Sequence, residues 1–149
     1  MSATEQIHAT CVALEGLGVL LLGAPGAGKS DLALRLIDAG WDLVADDRVD
    51  LTASADGLTA SAPEALAGLL EVRGLGILRL PAIERAMVAL AVELVAPDAV
   101  PRLPDERHIG FLGRDVPVLA LAPFQASSVK KVQLALALAS GSIMRADEP

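Results

Sequence analysis

A glycine-rich stretch, Gly23-Ala-Pro-Gly-Ala-Gly-Lys-Ser30, contains the residue types needed to bind phosphate. It fits the pattern G-x-x-x-x-G-K-[ST], whose glycines let the backbone turn tightly and aim N–H groups at phosphate oxygens. The positive end of the helix that follows adds to this attraction. In this pattern Lys29 supplies a positive charge to the outer phosphates of a nucleotide, and Ser30 offers its hydroxyl to Mg²⁺. The stretch therefore predicts a nucleotide-binding loop made of Gly23, Ala24, Pro25, Gly26, Ala27, Gly28, Lys29 and Ser30.

Two adjacent carboxylates, Asp46 and Asp47, follow this loop after only one predicted helix. They end a short apolar strand, and in a mainly parallel sheet the C-terminal ends of the strands gather on the side of the loop. Two negative charges beside bound phosphates repel unless a cation lies between them, so the arrangement predicts Mg²⁺. One aspartate would hold the metal and the other would accept a proton from an attacking hydroxyl. The alternative is an ordinary solvated turn.

Three other polar residues have both a structural and a functional interpretation. His8 precedes an apolar strand, where a lone histidine usually has a structural role. Glu71 and Arg73 lie in the apolar segment 69–77, and charged side chains in such surroundings are usually paired or functional. Neighbouring glycines would let the backbone approach a ligand closely. The competing interpretation is a surface ion pair between Glu71 and Arg73.

The composition limits the class of protein. A chain of 149 residues suits one domain, and 53% hydrophobic residues with only 2% aromatics predict an aliphatic core. The formal net charge of −7 argues against nucleic-acid binding, which needs clustered basic residues. No signal peptide or membrane-spanning run is present in the sequence, which favours a cytoplasmic protein. Cys11 is the single cysteine and is expected in the core.

Hydrophobic periodicity and turn residues predict the secondary structure. Strands are expected over residues 7–14, 18–23, 43–45 and 88–94, and paired strands over 48–51 with 58–62 and over 109–112 with 116–121. Helices are expected over residues 30–39 and from Ser127 or Ser128 to about Leu138. A helix remains an alternative for residues 88–94, and residues 141–149 are expected to be frayed.

The run from Gly16 to Asp47 resembles the signature of the C-terminal catalytic domain of bacterial HPr kinase/phosphorylases. Glu71-Val-Arg-Gly-Leu-Gly76 resembles the second motif of that family, and His8 stands where the family carries a functional histidine. The resemblance extends from about Ile7 to the final helix. It implies an α/β, P-loop-containing fold similar to that of phosphoenolpyruvate carboxykinase, with a mixed sheet. It also implies a single catalytic domain over residues 1–149 and assembly into hexamers.

The same resemblance implies an activity and a set of roles. The activity is ATP- and Mg²⁺-dependent phosphorylation of a serine of HPr, or of an HPr-like carrier of the sugar phosphotransferase system, with the reverse phosphorolysis releasing pyrophosphate. Asp46 would be the base that accepts the serine proton, and His8 would help to position it or the phosphate. Ser30, Asp47 and Glu71 would hold the metal. Arg73 would join the loop in binding the nucleotide.

One segment departs from the family pattern. Near the C-terminus the family usually has an arginine-containing loop linked to the phosphorylase reaction, whereas the corresponding stretch here is Leu121-Ala-Pro-Phe-Gln-Ala-Ser-Ser128. The difference bears on phosphorolysis. An alternative function is therefore that of a regulatory module that senses nucleotide or phosphate without efficient transfer. A small-molecule kinase is a further alternative, disfavoured by the absence of an obvious lid.

Overall fold

A computed structural model describes residues 3–146. Eleven strands and two helices make up its regular structure, together with 3₁₀ turns at Glu64–Leu66 and Pro97–Ala99. The strands are β1 (Ala3–His8), β2 (Thr10–Leu14), β3 (Leu17–Leu22), β4 (Asp42–Ala45), β5 (Arg48–Ser54), β6 (Gly57–Ser61), β7 (Leu69–Val72), β8 (Gly76–Arg79), β9 (Arg85–Leu94), β10 (His108–Phe111) and β11 (Arg114–Leu121). The helices are α1 (Lys29–Asp38) and α2 (Ser128–Ser140).

The main sheet is mixed and curled. Its strands run in the order β1-β5-β6-β9-β3-β2-β4, with the β10–β11 hairpin attached to β9 through β11. Among the strand pairings within residues 3–146, only β3–β9 and β9–β11 are parallel, so the expectation of a mainly parallel sheet is wrong. Because β3 and β4 are both antiparallel to β2, they nevertheless run in the same direction. Their C-terminal ends therefore lie at the same edge of the sheet. This places the loop that follows β3 beside the aspartates that follow β4.

The predicted strand over residues 7–14 is interrupted at Ala9 and forms β1 and β2. β1 pairs with β5 at one end of the strand order, whereas β2 lies near the other end, between β3 and β4. The prediction of a single strand is therefore wrong. An alternating hydrophobic pattern reports which side chains are buried, but it does not show where a strand changes partners.

The chain bends between β4 and β5, directly opposite the bend between β1 and β2. On one side of the bend Cys11 lies opposite Ala45, and on the other side His8 lies opposite Arg48. The same antiparallel register thus continues through both bends, and it places Thr10 opposite Asp46. We call this arrangement, residues 8–11 against residues 45–48, the paired corner. The two aspartates occupy it.

Most of the other predicted elements are confirmed. β3, α1, β4, the β5–β6 hairpin and the β10–β11 hairpin lie where the sequence pattern places them, and α2 begins at Ser128. The helical alternative for residues 88–94 is wrong, because β9 is a strand that pairs with β3, β6 and β11. Residues 141–146 form neither helix nor strand, and residues 147–149 lie outside the described part of the chain.

Hydrophobic residues pack on both faces of the sheet. Alternate residues of β3 point to opposite sides, so that Leu21 packs with α1 and α2 while Leu20 packs with Val49 of β5. Cys11 is fully buried on the same face as Leu20 and Val49, and burial raises the pKa of its thiol to about 12. The thiol therefore stays protonated near neutral pH, and the predicted core position of Cys11 is confirmed. Within residues 3–146 neither helix is long and apolar enough to span a membrane.

Candidate active site

The predicted phosphate loop connects the end of β3 to the start of α1. Gly26 and Gly28 have φ angles of 82° and 104°, which glycine adopts without steric cost. A Cβ atom added to Gly23 would lie 2.9 Å from the Cβ atom of Ala27, so the loop closes too tightly for a larger residue there. The strand, loop and helix thus follow one another as the motif requires.

Lys29 is the first residue of α1, and its side chain folds back over the loop. Its Nζ atom donates hydrogen bonds to the carbonyl oxygens of Gly23, at 2.7 Å, and of Ala24, at 3.2 Å. The ammonium group is therefore held at the loop, where an anion would benefit from its charge.

The carboxylate of Asp46 is buried and accepts hydrogen bonds from three different elements. Asp46 as a whole is only 7% exposed. Oδ1 accepts from the hydroxyls of Thr10, at 2.8 Å, and Ser30, at 2.7 Å. Oδ2 accepts from the backbone N–H of Glu71, at 3.1 Å. These bonds join β2, α1 and β7 at one carboxylate, so the interpretation of Asp46 as part of a solvated turn is wrong.

Asp47 differs from its neighbour in exposure and backbone conformation. It is exposed and has a φ angle of 68°, which residues other than glycine rarely adopt. The N–H of Arg48 donates to the carbonyl oxygen of Asp46 at 2.8 Å, which closes a tight three-residue turn around Asp47. Such a turn with a positive central φ costs roughly 1–3 kcal/mol. The surrounding pair of bent strands holds the backbone in this conformation.

The remaining predicted residues lie around the paired corner. His8 is exposed and ends β1 next to the bend. Glu71 is exposed, and its backbone, rather than its side chain, is bonded to Asp46. Arg73 is exposed in the turn between β7 and β8. Among the described residues no ion pair joins Glu71 to Arg73, so the alternative of a mutual surface pair is wrong.

The donor chemistry of the site suits a metal ion that is shared with a substrate. Among residues 3–146 no three His, Cys, Asp or Glu side chains form a group that could hold a metal alone. Mg²⁺ usually takes only one or two carboxylates and completes its shell with water and substrate phosphates. The 2.7 Å contact between Ser30 and Asp46 places a hydroxyl and a carboxylate side by side at the end of the phosphate loop. Because the Ser30 hydroxyl donates its proton to Asp46, its oxygen remains able to bind Mg²⁺ together with phosphate.

Two residues near the site were missed by sequence reasoning. Thr10 is fully buried and bonds Asp46; its only signal is a hydroxyl inside an otherwise apolar strand. Phe124 is 69% exposed and lies against Gly28 of the loop. Its signal is a lone aromatic residue in the segment where the related family usually carries arginine.

Replacing Thr10 with valine is expected to lower the free energy of unfolding by about 1–3 kcal/mol. Valine keeps a branched side chain of similar shape but removes one of the two donors to Oδ1 of Asp46 inside the protein. Urea denaturation of both proteins measures the difference. The matched control is Thr52→Val on β5, where the threonine is only half-buried. Equal effects of the two substitutions would show that the bond to Asp46 contributes nothing to stability.

Comparison with known proteins gives a consistent result. The family model described as "HPr Serine kinase C-terminal domain" matches residues 1–103. The protein from Bordetella pertussis named "HPr kinase/phosphorylase" is 42% identical over 115 residues, which cover 70% of this chain and 37% of that protein. A protein of the same name from Clostridium acetobutylicum is 46% identical over 83 residues, covering 56% of this chain and 27% of that one. The chain thus spans less than two thirds of the length of these relatives.

A solved structure supports the same relationship. The structure described as that of the Hpr(Ser) kinase/phosphatase from Coxiella burnetii is similar with a TM-score of 0.76 and 28% identity. The match covers 93% of this chain and 96% of that one. The predicted α/β fold with a mixed sheet is therefore confirmed. The family model covers more than half of the chain, and we conclude that this chain belongs to the HPr serine kinase C-terminal domain family.

Proposed function

We propose that this chain is an ATP- and Mg²⁺-dependent kinase domain that phosphorylates a serine of HPr or of an HPr-like carrier protein. The observation that carries this proposal is the 2.7 Å hydrogen bond from Ser30 to Asp46, which joins the phosphate loop to the paired corner. A phosphate-binding loop and a buried carboxylate in direct contact are the two parts that phosphoryl transfer to a hydroxyl requires. The printed names of the relatives, HPr kinase/phosphorylase and Hpr(Ser) kinase/phosphatase, indicate the acceptor.

In the proposed mechanism the loop binds and orients the nucleotide. Backbone N–H groups between Gly23 and Gly28 and the charge of Lys29 hold the phosphates of ATP, with Arg73 reaching toward them from the β7–β8 hairpin. Ser30, Asp47 and Glu71 hold Mg²⁺. The metal supplies positive charge that offsets the negative charge of the transferred phosphoryl group.

Asp46 is the proposed base. A carboxylate has about four acceptor positions, and the donors from Thr10, Ser30 and the backbone of Glu71 fill three of them. The remaining position, on Oδ2, is proposed to accept the hydrogen bond from the hydroxyl of the acceptor serine. Because the three donors come from three elements, they fix the orientation of the carboxylate before the substrate arrives. His8, at the end of β1 beside the same corner, is proposed to position Asp46 or the phosphate.

Further proposals follow the family resemblance. Residues 1–149 are proposed to act as one catalytic domain that assembles into hexamers in the cytoplasm. Phosphorolysis, with inorganic phosphate as attacking group and pyrophosphate as product, is proposed as the reverse reaction. A second candidate function is nucleotide or phosphate sensing without efficient transfer. The observation that favours it is the lack of arginine in the segment 121–128.

A transfer assay tests the proposal. The full chain is incubated with ATP labelled on the γ-phosphate, Mg²⁺ and the HPr-like carriers of the same organism. We expect label on one serine of a carrier and no label when that serine is replaced by alanine. Binding of ATP without transfer to any carrier would contradict the kinase and support the sensor. Absence of binding to both ATP and inorganic phosphate would contradict both candidates. Release of labelled pyrophosphate when inorganic phosphate is added to the labelled carrier tests the reverse reaction.

A further inference from the structure

A mainly apolar cavity of about 280 Å³ lies beside the phosphate loop. Gly26 and Ala27 of the loop form one wall, residues 94–97 at the end of β9 form a second, and residues 122–125 after β11 form a third. β9 and β11 run parallel to β3, so the segments that follow all three strands lie at one edge of the sheet. The volume is close to the lower limit of small-molecule pockets, roughly 300 Å³. The cavity therefore borders the loop, and its volume suits a small group.

An exposed aromatic side chain lines this cavity. The chain has three aromatic residues, of which Trp41 and Phe111 are buried and Phe124 is 69% exposed. The tip of the Phe124 ring lies over Gly28, since a Cβ atom added to that glycine would come within 2.7 Å of Cζ of the ring. Phe124 therefore joins the cavity to the loop, and its large exposed surface is available to a ligand.

The segment that carries Phe124 is held by several hydrogen bonds. The fully buried hydroxyl of Ser128 donates to the carbonyl oxygen of Ala122 at 2.7 Å and accepts from the N–H of Gln125 at 3.0 Å. The guanidinium of Arg35 on α1 donates to the carbonyl oxygen of Pro123. These bonds on both sides of Phe124 fix the backbone, so little ordering of this segment is needed on binding.

Gln125 adds a directed polar group to the same wall. Its Oε1 atom accepts a hydrogen bond from Nζ of Lys131 at 3.1 Å. Because a lysine ammonium only donates, the amide oxygen must face Lys131, and the amide NH₂ group is left to donate elsewhere. Ring nitrogens and carbonyl oxygens of a nucleobase are acceptors that this group can bind.

We propose that this cavity binds the base of the nucleotide, with Phe124 stacking on the base and Gln125 donating to one of its acceptors. The inference rests on the proposed function, in which the loop binds the phosphates of ATP. It assigns a binding role to the segment 121–128, whose sequence departs from the family pattern. Phe124 and Gln125 are binding residues in this proposal and take no part in the transfer step.

Paired binding titrations test the inference. The full chain and its Phe124→Ala variant are titrated, in the presence of Mg²⁺, with ATP and with inorganic tripolyphosphate, which has the phosphates but no base. We expect Phe124→Ala to weaken ATP binding about 5- to 150-fold, as loss of one base–aromatic stack does, and to leave tripolyphosphate binding unchanged. Phe124→Trp is expected to retain ATP affinity, and Gln125→Leu to weaken only ATP binding. Leu103→Ala, at an 85% exposed residue outside the cavity, is the control and should change neither.

The outcomes separate the inference from the proposed function. Suppose that the protein without substitutions binds tripolyphosphate and ATP equally well and that Phe124→Ala alters neither affinity. The proposed base site is then wrong, and the proposed phosphate-binding role of the loop stands. If Phe124→Ala weakens both ligands by the same factor, the ring supports the loop and does not bind the base, which also overturns the inference. If neither ligand binds to unchanged protein, the proposed nucleotide-dependent function itself fails.

Discussion

Replacing Asp46 with asparagine is expected to slow phosphoryl transfer to the carrier by about 10²- to 10⁴-fold, the contribution that a general base usually makes. Asparagine has nearly the same shape, and its amide oxygen can still accept from Thr10 and Ser30, but its amide NH₂ replaces Oδ2 and cannot accept from the N–H of Glu71. It cannot take up the serine proton. The affinity for ATP should therefore change little, because the phosphates are held by the loop. Single-turnover transfer from labelled ATP measures the rate, and a binding titration measures the affinity.

The matched control for this variant lies at the other end of β4, the strand that Asp46 follows. Asp42 begins β4 at the opposite edge of the sheet and is exposed, so Asp42→Asn should leave the transfer rate unchanged. Asp47→Asn separates the two proposed roles. If Asp47 is a metal ligand, Asp47→Asn should raise the Mg²⁺ concentration needed for transfer. Added Mg²⁺ should not restore the transfer rate of Asp46→Asn. Rapid transfer by Asp46→Asn would remove this residue from the role of base.

Replacing Lys29 with alanine is expected to weaken ATP binding by about 100-fold, which corresponds to the loss of one charged hydrogen bond to phosphate. The ammonium lies over the loop, bonded to the carbonyl oxygens of Gly23 and Ala24. Alanine removes the only positively charged side chain within the motif. The helix should persist, because alanine has the highest helix propensity. Isothermal titration with ATP and Mg²⁺ measures the effect.

Arg85→Ala is the control for the lost charge. Arg85 is an exposed residue that begins β9. Because β9 is parallel to β3, this residue lies at the edge of the sheet opposite the phosphate loop. Its replacement changes the net charge by the same amount and should not affect ATP affinity. If the two variants bind ATP alike, the effect of Lys29 would be one of total charge, and its assigned contact with phosphate would be wrong.

The features that could be predicted from the sequence are those encoded within a short segment. The loop from Gly23 to Ser30, the helix after it and the β5–β6 hairpin each follow from local residue types, since glycines, helix formers and turn residues act on their nearest neighbours. The edge at which Asp46 and Asp47 would lie was also predicted correctly. They lie there because β3 and β4 are both antiparallel to β2 and so run in the same direction, and not because the sheet is mainly parallel.

The features that could not be predicted depend on pairing between distant segments. Nothing near Ala9 in the sequence indicates a bend, because the bend arises where β1 and β2 pair with different strands. The contact of Thr10 with Asp46 requires the register across that bend. The position of Phe124 over Gly28 requires the end of β11 to lie beside the end of β3, with β9 between them. Each of these is a property of the assembled sheet.

The three donors to Asp46 come from residues that are 36, 16 and 25 positions away along the chain. No fragment with only local structure could supply them, because they come together only when the sheet, α1 and the β7–β8 hairpin have assembled. In a refolding experiment, secondary structure should therefore recover before the proposed transfer activity does. If the proposed function is right, a partly folded or proteolytically nicked molecule would lack the oriented carboxylate and would not transfer phosphate.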